Sequence, residues 1–247
     1  MTILEAVGIS KHFGGLMAND HVSFQVEEGK ITSIIGPNGA GKTTLFNLLT
    51  GMHKPDTGQV LFDGRDITGW PIHRIVRQGI VRSFQVLNIF NEISPAENIR
   101  LAVQSRKKRS FNFLRSAASF EDINRETNAI LEEIGLTDVK DLTTKTLSYG
   151  DKRVLEIGIA MASEPRLLLM DEPTSGLPTS ETERIKNFIK KISAQMTVLV
   201  IEHDMDIVLT ISDTIIVLHQ GRVIAQGPPA EIKANDEVQT AYLGGID

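Results

Sequence analysis

The chain has no cysteine and a single tryptophan. Lack of cysteine removes disulfides, thiolate zinc sites and cysteine nucleophiles together. Aromatic residues make up only 5 % of the sequence. There is no basic excess either: the formal net charge is -5, so a surface that coats nucleic acid is not expected. No apolar run approaches the roughly 20 residues that span a bilayer. The start, Met1-Thr2-Ile3-Leu4-Glu5, has neither the basic patch nor the apolar stretch of a secretory leader. A soluble, cytoplasmic protein is expected, with any membrane role exercised through a partner. At 247 residues the chain can bury one large core or two small ones. It shows no internal repeat and no low-complexity tract.

What is present is a phosphate cradle. Gly36-Pro37-Asn38-Gly39-Ala40-Gly41-Lys42-Thr43-Thr44 follows the apolar run Ile31-Thr32-Ser33-Ile34-Ile35 and precedes Leu45-Phe46-Asn47-Leu48-Leu49. A lone glycine loop means little; strand, glycine turn, lysine and helix in that order make a P-loop. Glycines let successive amides turn inward around phosphate oxygens, and the helix behind adds unpaired amides and a positive dipole end. Lys42 supplies a cation for the outer phosphates and Thr43 a hydroxyl for Mg²⁺. The reading is a nucleoside triphosphate site.

Taken in order, Ile3–Ile9 and Val22–Val26 read as strands, and Thr50-Gly51 ends the P-loop helix. Pro55-Asp56-Thr57-Gly58 turns into a short strand, Gln59–Phe62. From about Val86 to Glu164 the pattern is helical, with Pro95 to Gln104, Ile123–Ile134 and Leu147–Ala162 as helices. Arg106-Lys107-Lys108-Arg109 could meet anionic lipid beside a membrane partner. A solvated loop or helix face is the simpler expectation. Ser148-x-x-Asp151 fits a capping box, in which the serine hydroxyl meets an amide and the carboxylate reaches back. Leu167-Leu168-Leu169-Met170, Thr197–Ile201 and Thr214–Leu218 look like buried parallel strands, separated by helices over Ser180–Ser193 and Asp204–Ile211. Arg222–Ala225 closes a hairpin, and a helical tail follows. Alternating strands and helices predict an α/β doubly wound sheet.

Ligands of such sheets gather at the carboxyl ends of the strands. Asp171 leaves its strand there and suits Mg²⁺, directly or through water; Glu172 suits polarisation of a water attacking the γ-phosphate. Alone, two acids at a strand end would be a solvated turn. Beside a P-loop they read as chemistry.

Leu147-Ser148-Tyr149-Gly150-Asp151 resembles the signature of ATP-binding cassette (ABC) proteins, normally Leu-Ser-Gly-Gly-Gln, and the resemblance covers essentially the whole chain. Gln85 stands at the Q-loop position, His203 in Ile201-Glu202-His203-Asp204 at the switch histidine, Ser175-Gly176-Leu177 at the D-loop, and Phe13 where a ring stacks on adenine. Each is weak singly; six in order are specific. The resemblance implies an α/β P-loop NTPase (RecA-like) doubly wound sheet with an N-terminal antiparallel β subdomain and an inserted helical subdomain. One ABC ATPase domain over 1–247 would divide into a nucleotide-binding core with the β subdomain at 1–85 and 165–225, a helical signature subdomain at 86–164, and a C-terminal helical tail at 226–247.

It further implies ATP and Mg²⁺ as ligands. Phe13, Gly36, Asn38, Gly39, Ala40, Gly41, Lys42, Thr43 and Thr44 would hold nucleotide on one copy, with Ser148 and Gly150 of a second copy closing over it. Thr43, Gln85 and Asp171 would serve the metal, and Glu172, His203 and Gln85 the hydrolysis. Tyr149 and Asp151 depart from the signature; Asp151 sets a negative charge near a triphosphate. Gly176 and Pro178 replace the usual Ala and Asp.

Details such as Phe13-Gly14-Gly15-Leu16, Arg82-Ser83-Phe84-Gln85, the insertion near 104–128 and Ala241-Tyr242-Leu243-Gly244 look most like ATPase subunits of branched-chain amino-acid importers. Partners would then be a second identical or related ATPase subunit, integral membrane permeases and, indirectly, a solute-binding protein, with no nucleic acid. The chain would sit peripherally on the cytoplasmic face of the cell membrane. A soluble ABC ATPase acting on ribosomes or DNA, a lipopolysaccharide-type exporter ATPase and a non-catalytic nucleotide-binding regulator stay open as alternatives.

Overall fold

The computed structural model describes residues 1–83, 89–107 and 120–243. Gln85 lies outside them, as do Lys108, Arg109, Phe111, Phe113, Leu114 and Gly244.

Two long strands, β1 (Thr2–Phe13) and β2 (Leu16–Glu27), form an antiparallel hairpin. Both outrun their apolar cores, because backbone pairing continues after the inward-facing alternation has faded. Next come β3 (Ile31–Ile35), α1 (Lys42–Leu49), β4 (Thr57–Phe62) and the two-residue β5 (Arg65–Asp66). An antiparallel sheet of order β2-β1-β4-β5 results. A short helix, α2 (Ile72–Gln78), leads into β6 (Ile80–Arg82). The sequence pattern shows neither: three residues are too few for a period of two to register, and seven span only about two helical turns.

The helical stretch holds α3 (Pro95–Arg106), α4 (Glu121–Glu133) and α5 (Tyr149–Met161). Arg106 and Lys107, the described half of the basic run, bridge α3 to α4. Arg106 pairs with Glu126 and with Glu164 at 2.6 Å, and Lys107 with Glu126 at 2.9 Å and Asp122 at 3.2 Å. Then follow β7 (Leu167–Asp171), α6 (Thr179–Ile192), β8 (Thr197–Ile201), α7 (Met205–Ile211), β9 (Thr214–His219) and β10 (Arg222–Gly227). The tail is α8 (Pro229–Lys233) and α9 (Asp236–Leu243).

The second sheet has the order β10-β9-β3-β8-β7-β6, parallel except for β10. Every residue of β3, β7 and β8 is buried, as strands covered on both faces must be. Successive side chains enter different cores. Leu168, Met170, Val198 and Val200 pack with Leu155 of α5 and Ile189 of α6. Leu167, Leu169, Leu199 and Ile201 pack with Leu45 and Phe46 of α1 and Phe24 of β2. Each such side chain contributes about 1.5–3 kcal/mol by leaving water. Since β3, β6, β7 and β8 run parallel, their carboxyl ends open on one edge.

Candidate nucleotide site

β3 delivers the chain to Gly36, where a Cβ would stand 2.0 Å from the Leu218 carbonyl oxygen. At Gly41, in the left-handed region at φ 97°, a Cβ would stand 2.2 Å from the Ala18 carbonyl oxygen. Those two contacts press the loop against β9 and β2, so only glycine fits. Asn38 and Gly39 are exposed at its lip, Ala40 is buried, Thr43 is exposed on the first turn of α1 and Thr44 is half-buried. The Lys42 ammonium turns back into the loop and donates to the Gly36 carbonyl at 2.6 Å and the Pro37 carbonyl at 3.1 Å. Burial pulls its pKa below the ordinary lysine value, opposed by the Glu172 and Asp171 carboxylates. An under-solvated cation inside a ring of backbone is suited to an incoming polyanion.

β7 ends at Asp171, whose carboxylate is buried and accepts from Arg82 Nη2 at 2.6 Å. Arg82 also donates from Nη1 to Asn47 on α1 at 2.6 Å, joining the ends of β6 and β7 to the P-loop helix. Glu172 follows in the left-handed region at φ 46°, a conformation that costs a non-glycine residue and turns its side chain off the line of the strand. Glu202 and His203 follow β8; the His203 imidazole Nδ1 lies 3.9 Å from Glu172 Oε2. Phe13 is exposed at the hairpin end, its ring edge-on to His53 with centroids 5.5 Å apart. The hairpin runs beside the loop, since Asn19 reaches the Gly41 carbonyl at 3.4 Å.

The signature helix is positioned differently. Ser148 caps α5 by accepting from the Asp151 amide at 3.0 Å, as expected. Its partner acid behaves otherwise: the Ser148 hydroxyl donates to Asp151 Oδ2 at 2.9 Å, so the carboxylate meets the hydroxyl and not the Ser148 amide. Nor does the Asp151 charge stand alone, because Arg184 on α6 donates to Oδ1 at 2.7 Å. Gly150 packs against the Glu181 carboxylate of the same helix. Among the described residues no hydrogen bond joins Ser148 or Gly150 to the P-loop of the same chain. Deeper along α5, buried Arg153 grips the end of β7. It donates to the carbonyls of Asp171 and Glu172, each at 2.9 Å, and of Pro173 at 3.2 Å, and pairs with Glu156 at 2.7 Å.

Among the described residues no group of three His, Asp or Glu could hold a metal by itself. The donors at hand are the exposed Thr43 hydroxyl and the Asp171 carboxylate. That set fits a Mg²⁺ that takes one or two protein ligands and finds the rest on phosphates and water.

A phosphate cradle after β3, paired acids at the end of β7 and a histidine after β8, the strand between them, suit ATP hydrolysis, and the comparisons agree. The ABC transporter family matches residues 19–175. The chain belongs to the ABC transporter family. Residues 222–247 match the terminal segment of branched-chain amino acid ATP-binding cassette transporters. The high-affinity branched-chain amino acid transport ATP-binding protein BraF of Pseudomonas aeruginosa is 43 % identical over 251 residues, 98 % of each chain. Among solved structures, the ADP conformation of MJ1267, an ATP-binding cassette of an ABC transporter, has a TM-score of 0.87 at 33 % identity and 99 % coverage of both chains. The dimeric structure of MJ0796, a bacterial ABC transporter cassette, has a TM-score of 0.77 at 25 % identity, covering 92 % of this chain and 99 % of that one. This cassette is therefore an ATP-binding ATPase of the P-loop fold.

Four residues of this ABC cassette escaped the sequence reading: Arg82, Arg153, Arg184 and Glu202. All act on partners distant in sequence. Arg82 and Glu202 lie in the stretches Arg82-Ser83-Phe84-Gln85 and Ile201-Glu202-His203-Asp204, but nothing local to either names its partner.

Proposed function

We propose that this cassette is the ATP-hydrolysing subunit of an importer for branched-chain amino acids or a related small polar solute, working in pairs beneath separate membrane permeases. The observation that carries the reading is the match of residues 222–247, since the match over 19–175 fits cassettes of any cargo. The near full-length likeness to BraF, a protein named for branched-chain amino acid transport, supports it. No described helix is long and apolar enough to cross a membrane; in this reading the permeases hold the chain at the cytoplasmic face.

In this reading Lys42 and the amides of the Gly36–Thr44 loop hold the β- and γ-phosphates of ATP, and Phe13 stacks on adenine. Thr43, Asp171 and Gln85 hold Mg²⁺, which offsets the phosphate charge when bound. Glu172 takes a proton from the attacking water, and His203 steadies the γ-phosphate side. Ser148 and Gly150 at the tip of α5 close over the phosphates of a second copy, with Arg184 offsetting the Asp151 charge. The partner is the same chain or a close relative. The core comprises 1–85 and 165–225, the helical signature subdomain 86–164 and the tail 226–247.

Affinity purification of the tagged chain from its own membranes tests the transport role. Two hydrophobic permease subunits are expected to come with it. Recovery without membrane subunits, together with an ATPase stimulated by nucleic acid, would replace the importer by a soluble DNA- or ribosome-directed ATPase.

A further inference from the structure

Beyond β8 the Glu202 side chain enters the interior and is 0 % exposed, a place where carboxylates survive only with partners. Its Oε1 accepts twice from Thr174, from the hydroxyl at 2.6 Å and the amide at 3.1 Å. Its Oε2 faces the other way, toward the His203 amide at 3.4 Å and the His203 Nδ1 at 3.8 Å. At that separation the attraction to the ring is electrostatic and not a hydrogen bond. The same Nδ1 lies 3.9 Å from Glu172 Oε2. A half-exposed imidazole thus stands between two carboxylates, one fixed in the interior and one at the reacting edge.

Burial pushes the Glu202 carboxyl above the usual carboxylate range, against the pull of the Thr174 hydrogen bonds. An acid held where the surroundings oppose its charge, with both oxygens committed to two loops, calls for an explanation. The two loops are the turn through Thr174, which leads from Glu172 to Ser175-Gly176-Leu177, and the turn that carries His203. With Oε1 held by Thr174, Oε2 faces His203.

We propose that Glu202 is the positioning residue for His203: it ties the histidine to Thr174 and favours a proton on Nδ1, so that the ring keeps a fixed orientation beside Glu172. This rests on the reading of Glu172 and His203 as parts of the ATPase centre. Glu202 touches no substrate; it acts through the ring. Because the same carboxylate grips Thr174, movement of the Ser175-Gly176-Leu177 turn is transmitted to the histidine.

The test compares the intact chain with Glu202→Gln, His203→Ala and the double variant, by steady-state MgATP hydrolysis and by ¹⁵N spectra of the histidine rings. The signal missing in His203→Ala identifies the ring. Glu202→Gln is expected to lower kcat roughly ten- to a hundredfold, the scale on which an orienting partner is felt. KM for ATP should stay within about twofold, since ground-state binding is untouched. The His203 nitrogens should shift, and the double variant should be no slower than His203→Ala. A wild-type rate or unmoved His203 signals in Glu202→Gln, with His203→Ala slow, would overturn the proposal. So would a double variant slower than His203→Ala by the full Glu202→Gln factor. Normal turnover in His203→Ala would instead overturn the role of the histidine on which the proposal rests. Should Glu202→Gln not fold, Thr174→Val must slow turnover and Thr174→Ser restore it; a wild-type rate for Thr174→Val overturns the proposal equally.

Discussion

Lys42 shows how a single residue gains its meaning from its surroundings. Its ammonium is held by two backbone carbonyls and partly stripped of water, so a triphosphate offers it counter-charge beyond that of Glu172 and Asp171. Lys42→Ala should therefore lose the rise in melting temperature that ATP gives the wild type; calorimetric scans with and without nucleotide would measure it. Phe13→Ala should weaken ATP binding by ~1–3 kcal/mol, the scale of base–aromatic stacking, read by titration calorimetry. Glu202 carries a pH dependence of known sign. Its folded pKa is raised by burial, so the protonated acid favours folding at low pH and that contribution is lost as pH rises through the raised value. The groups facing it are Thr174 and His203, with Glu172 beyond the ring. Glu202→Gln cannot ionise. Urea unfolding across a pH series should show the variant gaining on the wild type from acid toward neutral pH.

At the scale of elements, α5 does two jobs through two ends of one helix. Its tip is closed by Ser148, and Ser148→Ala should cost about 1 kcal/mol as a lost N-cap. Its body holds the end of β7 through Arg153, which is 3 % exposed and paired with an equally buried Glu156. Arg153→Ala would remove the guanidinium from that carboxylate and from the carbonyls of Asp171, Glu172 and Pro173. Loss of one partner of a buried pair costs roughly 3–5 kcal/mol, so the urea midpoint should fall by far more than for Ser148→Ala. The same helix that presents the signature thus fixes the backbone of Asp171 and Glu172.

For the whole molecule, the informative feature is that among the described residues no hydrogen bond joins Ser148 or Gly150 to the P-loop of their own chain. A capped helix tip and a phosphate cradle that do not meet in one chain can meet between two. Glu172→Gln with ATP should double the mass seen by light scattering, while the wild type under hydrolysing conditions returns to monomer. The sequence by itself determined the P-loop, the two acids after β7, the histidine after β8, the serine cap and the alternation of strands and helices. Those are local: a glycine needed for backbone room, a period of two, a hydroxyl one turn from an amide. Tertiary structure alone decided that Arg82 reaches Asp171 across 89 residues and Glu202 reaches Thr174 across 28. It also decided that Arg184 offsets Asp151, and that β6 completes the sheet edge. No neighbour in sequence encodes such pairings. Those of Arg82 and Glu202 arise because parallel strands bring their carboxyl ends to one edge, and that of Arg184 because α6 packs beside the tip of α5, where charges must find partners or remain in water.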